Sequence, residues 1–456
     1  MENNSTDAFR DKPINIDETG KSKRIVAKQP KGKWYNRRTY FAWFCILFLI
    51  FAPIIKINGN PLMLFDIVNR KFSLFGNMFY PQDTFILALI MLVAVVCIVL
   101  FTVIYGRLFC GWACPQTIFL EMIYRRIEYL FDGNHRNLSN EKYDEYSKII
   151  RTIGKHLVYI IISFIITNVF IMWFTGPEKL WQIISSPISE NQLGFLFMAG
   201  VSLFYYFVYA YLRQQICTFF CPYGRLQGVL LDSKSISVIY DYKRGEPRGS
   251  KNTGDCIDCK QCIAVCPTGV DIRNGSQFEC INCTACIDEC NIVMEKVKKP
   301  GNLIRFDSYH GIETGKHSIK NARTYAYSAV LLILVIVLGI TVSKRTSVDV
   351  SINRMQGTMC QEIDINNVSN IYTVKLINKS NKLKNISFKL IDIPNGDLQF
   401  TTDISQLEAG AAIESVLMLK LPKTLLKGRS TDLEIGVYDS KTLLSTYTIN
   451  FIGLQK

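Results

Sequence analysis

The stretch Cys256-Ile-Asp-Cys259-Lys-Gln-Cys262-Ile-Ala-Val-Cys266-Pro267 is repeated 24 residues later as Cys280-Ile-Asn-Cys283-Thr-Ala-Cys286-Ile-Asp-Glu-Cys290. Short turns between the first three cysteines of each run bring three thiolates onto three corners of an iron–sulfur cubane. The more distant fourth reaches across to the neighbouring cluster. This crossing assigns Cys256, Cys259, Cys262 and Cys290 to one [4Fe-4S] cluster, and Cys280, Cys283, Cys286 and Cys266 to a second. The chemistry to expect is the movement of electrons.

The same rhythm is found in bacterial two-cluster ferredoxins. Structural zinc sites show two separated Cys-x-x-Cys knuckles instead of eight thiols in this order. Asn291 follows Cys290 where Pro267 follows Cys266. Proline shapes a turn but binds no metal, so the ligand assignment is unaffected.

A chain of 456 residues with 49% hydrophobic content exceeds one ferredoxin and is too apolar to be ordinarily soluble. Five stretches approach the ~20 residues needed to cross a bilayer: Tyr40 to Ile57, Thr84 to Tyr105, Leu157 to Phe174, Leu193 to Leu212 and Tyr325 to Val342. Pro53 and Lys56 weaken the first, whose alternative reading is a re-entrant or interfacial segment. The polar residues ahead of it are unlike a cleavable signal peptide, so it is expected to act as an uncleaved anchor.

Lysines and arginines number ten before Tyr40, eight from Gly106 to His156 and sixteen from Arg213 to Thr324, against two in 58–83 and one in 175–192. By the positive-inside rule the N-terminus and the cysteine runs face the cytoplasm of a bacterial inner membrane, and everything after Val342 faces the periplasm. The net charge of +14 then tracks membrane faces, and no nucleic-acid surface is implied. A reducing compartment also keeps the thiols available for iron.

The expected organisation is a multidomain membrane protein. Residues 1–39 form a mostly disordered basic arm, and 40–212 hold four transmembrane helices. Within that span, Glu121 to Lys148 forms an amphipathic surface segment. Residues 213–324 carry the ferredoxin domain at about 250–300, 325–342 form a fifth transmembrane helix, and 343–456 form an immunoglobulin-like β-sandwich. The sandwich is read from alternating strands at Ile371–Leu376, Ile386–Leu390, Val416–Leu419 and Leu433–Val437. Turn residues at Asn395-Gly396, Glu408-Ala409-Gly410 and Lys427-Gly428 separate them. With Cys360 as its only cysteine, it has no disulfide.

A second cysteine set lies just beyond the second and fourth apolar stretches: Cys110-Gly-Trp-Ala-Cys114-Pro115 and Cys217-Thr-Phe-Phe-Cys221-Pro222. On a helix, an i, i+4 spacing turns both thiols to one face. Two facing pairs would make a four-thiolate pocket for a further iron–sulfur cluster or for Cu(I). Either pair alone reads as buried packing, but repetition of the whole unit argues for a shared task. Cys45, Cys97 and Met91 within apolar stretches read as packing. Met355, Met359 and Cys360 are soft residues in a connecting segment, a grouping that arises readily by chance, and of the four histidines His135, His156, His310 and His317, His156 at a helix entrance reads as facing lipid headgroups or capping a carbonyl rather than as a haem ligand. The sequence has no Gly-x-Gly-x-x-Gly or Walker fingerprint, so an external electron donor is expected.

The segment Cys266-Pro267-Thr268-Gly269-Val270-Asp271-Ile272-Arg273-Asn274-Gly275, followed by Glu279-Cys280-Ile281-Asn282-Cys283, resembles the cytochrome c oxidase accessory family CcoG, also called FixG or RdxA. Leu64-Phe65-Asp66-Ile67, Phe75-Gly76, Pro81-Gln82-Asp83, Gly106-Arg107 and Leu303-Ile304-Arg305-Phe306-Asp307 also match, and the resemblance spans nearly the whole chain from Phe41. It implies a role in assembling cbb3-type haem-copper oxidases, with the protein acting as a membrane cupric reductase that supplies Cu(I). The implied partners are copper ions, oxidase subunits or copper-handling assembly proteins, and an electron donor. The alternatives are a quinol-linked electron conduit, as in periplasmic nitrate or nitrous oxide respiration, and a non-redox assembly scaffold.

Overall fold

The computed structural model describes residues 25–133, 145–249, 254–275, 277, 279–315, 322–355, 357, 360–364, 367–380, 383–391, 396–408, 410–425, 430–440 and 442–453. Two compact units emerge: Met1–Ile54 with Ala88–Ile336, and Ile55–Leu87 with Val337–Lys456.

Among the described residues, four helices are long and apolar enough to cross a membrane: Thr84–Tyr105, Ile149–Thr175, Gln192–Leu212 and Ala322–Ser343. The first expected span differs. Its helix is Lys33–Phe51 rather than Tyr40–Ile57, because Pro53 has no N–H to extend the ladder, and the chain turns there into the two-residue strand Lys56–Ile57. Only the twelve residues from Tyr40 to Phe51 are apolar helix, about 18 Å at ~1.5 Å per residue.

The described part of the N-terminal arm is ordered by the ferredoxin segment, contrary to the expectation of disorder through residue 39. Lys28 donates its N–H to the Ala264 carbonyl at 2.8 Å, and its ammonium pairs with Glu289. The Asp288 carboxylate accepts from the N–H groups of Trp34 (3.1 Å) and Tyr35 (2.7 Å), capping helix Lys33–Phe51 from 254 residues away in sequence. Gly32 has a φ of 150°, and a Cβ there would stand 2.3 Å from Asp288 Cγ, so only glycine fits.

The amphipathic segment is also buried more deeply than expected. Phe119–Tyr124 is a π-helical turn continued by helix Arg125–Phe131, and Leu120, Tyr124 and Ile127 pack with Tyr159, Ile166, Val208 and Tyr209. Glu128 pairs with the buried Arg213, and Glu121 with Arg125 at 3.0 Å. The rest of the segment, 134–144, lies outside the described residues.

The ferredoxin core is closed by the antiparallel strands Ser237–Tyr240 and Ile304–Asp307 over helix Ala285–Lys296. Val238, Ile287, Met294, Leu303 and Ile304 are all nearly inaccessible to solvent.

In the second unit, one sheet orders the strands Asp397–Phe400, Ala412–Pro422, Asn367–Asn378 and Val348–Arg354. The other orders Gln406–Leu407, Lys384–Leu390, Ser430–Asp439 and Thr442–Ile452. Alternate inward residues (Tyr372, Val374 and Leu376; Leu417, Leu419 and Leu421; Leu433, Ile435 and Val437) fill the space between the sheets. Residues 395, 409, 427 and 428 of the expected turns are outside the described set. The three-stranded sheet Met63–Asp66, Lys71–Leu74 and Asn77–Phe79 belongs to this unit. Asp83, 4% exposed, is held by Arg345 at 2.8 Å and Lys379 at 2.6 Å.

Candidate functional site

The eight ferredoxin cysteines line two cavities. Cys256, Cys259, Cys262 and Cys290 surround one, with Tyr240, Lys260, Arg273 and Ile304 completing its wall. Cys266, Cys280, Cys283 and Cys286 surround the other, among Val238, Val270, Ile272 and Ile281, and Cys262 also reaches this wall. The two cavities are therefore neighbours, with Cys262 in the wall of both.

The repeat is visible in the backbone. Asp258 and Lys260 have φ of 55° and 56°, and Asn282 and Thr284, at the same places in the second run, have 53° and 66°. Alternating left-handed residues wrap the chain into a concavity lined by N–H groups, suited to an anionic guest. The Asn291 departure also has a cause. Cys290 lies within helix Ala285–Lys296, where a following proline would break the ladder, whereas Cys266 follows the short helix Gln261–Ala264.

Burial pushes the thiols of Cys262, Cys280 and Cys290 up to about 12 and that of Cys283 to about 11. Such thiols release their protons only when bound cations compensate the buried thiolate. The all-thiolate donor sets and N–H-lined loops fit [4Fe-4S] clusters, which supply one-electron chemistry when bound.

The Cys-x-x-x-Cys-Pro units are not continuous helices. Cys110 lies in helix Leu108–Trp112 and Cys217 in the π turn Ile216–Phe220. The second cysteine of each is extended, with φ and ψ of −64° and 123° at Cys114 and −78° and 109° at Cys221, and a new helix starts at the proline. Proline disfavours helical geometry in the residue before it, which accounts for the break. All four thiols nevertheless lie within electrostatic reach of one another, and burial raises Cys110 and Cys114 and takes Cys217 to about 12.

Both units rest on the second cavity. A Cβ on Gly111 would stand 2.1 Å from the Ile281 carbonyl oxygen, and Trp112 Nε1 donates to the Asn282 carbonyl at 3.3 Å. Gln214 Nε2 donates to the Pro267 carbonyl at 3.2 Å, and Cys110 packs, as does Cys286, against the buried cluster of Val265, Ile281, Cys283 and Ala285. The buried Arg107 donates through Nε to Gln227 Oε1 at 3.1 Å, which also accepts from Cys110 Sγ at 3.0 Å. Spacing alone did not single out Arg107 or Gln227 for this site.

The other soft ligands are dispersed. Cys45 packs against Ala42 and Ile46, Cys97 and Met91 face outward, and Cys360 packs on the sandwich core. Met359, His135 and His317 lie outside the described residues. His156 Nδ1 meets the Tyr206 hydroxyl at 2.9 Å, and His310 donates its N–H to the Ser233 carbonyl.

Apolar helices, paired cluster cavities and a β-sandwich define a membrane iron–sulfur electron-transfer protein. Residues 212–309 match the 4Fe-4S dicluster domain family, 87–134 a 4Fe-4S binding domain family, and 338–454 the IG-like fold at the C-terminus of FixG. The chain is 28% identical to the nitrogen fixation protein FixG of Rhizobium meliloti, over 91% of this chain and 89% of that one. It is 29% identical to protein RdxA of Cereibacter sphaeroides, over 78% of this chain and 80% of that one. The ferredoxin-type protein NapH of Escherichia coli is 24% identical over 43% of this chain and 64% of its own. Over most of its length the chain is thus similar to the FixG and RdxA proteins, and its C-terminal part matches the IG-like fold that ends FixG.

Proposed function

We propose that this protein is a cupric reductase of the bacterial inner membrane that supplies Cu(I) for assembly of a cbb3-type oxidase. The ligand sets are Cys256, Cys259, Cys262 and Cys290 for one [4Fe-4S] cluster, and Cys266, Cys280, Cys283 and Cys286 for the other. An external donor provides the electron, and the reaction is Cu(II) plus one electron to Cu(I), which thiolate surroundings favour.

The observation that carries this reading is the contact of Gly111 with Ile281. The loop of Cys110 and Cys114 lies there against the loop of Cys280 and Cys283, which supports a soft thiol site beside the second cluster cavity. Membrane orientation rests on the lysine and arginine bias, with the ferredoxin segment cytoplasmic and the sandwich periplasmic. The sandwich then serves as a docking domain for oxidase subunits or copper-handling proteins.

In cells, Cys259→Ser should lower cbb3-type oxidase activity. Full oxidase activity in that strain would instead support the scaffold reading. The similarity to NapH favours a second reading, a quinol-linked conduit. Under it, quinol reduces the purified protein and Cu(II) does not reoxidise it.

A further inference from the structure

Arg38 is a buried cation without a carboxylate partner among the described residues. It lies on the helix Lys33–Phe51, whose start is fixed by Asp288, and only 3% of its surface reaches solvent. Its Nε donates to the Gly111 carbonyl at 2.8 Å, whereas its buried Nη2 meets no hydrogen-bond partner among the described residues. The carboxylates on the elements packed around it are engaged elsewhere. Asp288 accepts from Trp34 and Tyr35, Glu289 pairs with Lys28, and Glu121 lies 3.0 Å from Arg125. A guanidinium buried in this way is costly unless a negative charge faces it.

The negative charge at hand is thiolate. Gly111, to which Arg38 is bonded, presses on the Ile281 carbonyl, two residues before Cys283 in the wall of the second cavity. Burial raises the Cys283 thiol to about 11, and the Arg38 guanidinium is the largest influence opposing that rise. The first cavity is served differently. Arg273 stands in its wall but pairs with both Asp258 and Asp271, and Cys259 there is open to solvent. Water can answer added charge at the first site, but the second needs a fixed cation. We infer that Arg38 is the built-in counter-ion of the second cluster, raising its potential so that the site of Cys266, Cys280, Cys283 and Cys286 accepts an electron without taking up a proton. One electron from the external donor adds one negative charge there; no bond breaks, no proton moves, and the guanidinium compensates. A guanidinium has no lone pair for iron, so Arg38 acts through charge, one of the levers that set a cluster's potential.

The inference rests on the assignment of Cys283 to the second cluster and not on copper as acceptor. The full chain, purified in detergent and loaded anaerobically with iron and sulfide, is titrated with dithionite while each cluster is followed by electron paramagnetic resonance. Arg38→Gln should shift the reduction equilibrium of one cluster about tenfold toward the oxidised form, ~59 mV for a one-electron couple, and Arg38→Lys should restore it. Arg37→Gln removes an equal charge from the exposed neighbouring position and should shift nothing. The shifted signal should vanish on adding Cys280→Ala and persist on adding Cys259→Ala. If the two alanine variants remove the same signal, the division into quartets fails and the proposal with it. If they remove different signals and Arg38→Gln shifts neither, or shifts the one lost with Cys259→Ala, Arg38 is not the counter-ion of the second cluster. Should Arg38→Gln lose the iron of the second quartet, Arg38→Lys decides: iron retained there shows that the charge holds the site. Iron lost in both makes Arg38 a strut beneath Gly111 and overturns the proposal.

Discussion

Gly111 lies so close to Ile281 that a side-chain carbon would stand 2.1 Å from the Ile281 carbonyl oxygen. This contact joins a loop at the end of a membrane helix to the loop carrying Cys280 and Cys283. Gly111→Val should force the two apart at a cost of ~1–3 kcal/mol, leaving ferredoxin iron in place and slowing reoxidation by an acceptor. Gly200→Ala is the control, since nothing lies within 4 Å of a Cβ there. Equal reoxidation rates in Gly111→Val and the unaltered protein would show that electrons bypass this junction.

Removing the Asp288 carboxylate should loosen the first helix. Asp288→Ala deletes an N-terminal cap, worth about 1 kcal/mol, and should lower the thermal midpoint in detergent and expose residues 25–32 to protease. Asp288→Asn keeps an acceptor and should lose less. An unchanged protease pattern in Asp288→Ala would contradict the capping role.

In the second unit, Asp83→Ala would leave the partly buried Arg345 and Lys379 without their shared buried carboxylate. Breaking one side of a buried ion cluster costs ~3–5 kcal/mol. The expected result is faster limited proteolysis of the sandwich, with the iron content of the ferredoxin segment unaltered. Lost iron would contradict the independence of the two sites.

In metal-free protein the thiols should differ in reactivity. Cys259 is exposed, whereas burial carries Cys217 to about 12, so at neutral pH the latter remains a protonated, weakly nucleophilic thiol. Maleimide labelling followed by peptide mass mapping should find Cys259 modified first and Cys217 far behind. Comparable rates would contradict the burial of the membrane-edge set.

The 4Fe-4S character was legible because iron–sulfur ligation is encoded at short range, in cysteine spacings of two and three residues. The helix Thr84–Tyr105 was legible because its 22 residues carry no charge. What escaped depends on partners distant in the chain. Asp288 caps a helix that starts at Lys33, Asp83 meets Lys379, and Gln227 meets Cys110. No local pattern marks such residues as partners. The i, i+4 helix expected for Cys110 and Cys114 failed for a local reason that was visible: Pro115 makes the preceding residue extended. Lys33–Phe51 ended early for the same kind of reason, at Pro53.

The most direct test of the account is stoichiometric. The cluster-loaded full-length protein is reduced anaerobically, freed of reductant and mixed with Cu(II) in the presence of a Cu(I)-specific chelator. Cluster absorbance and Cu(I) are then followed together. The account predicts that one Cu(I) forms for each electron the clusters lose, and that Cys217→Ser slows this exchange. Clusters that stay reduced while Cu(II) persists would contradict it.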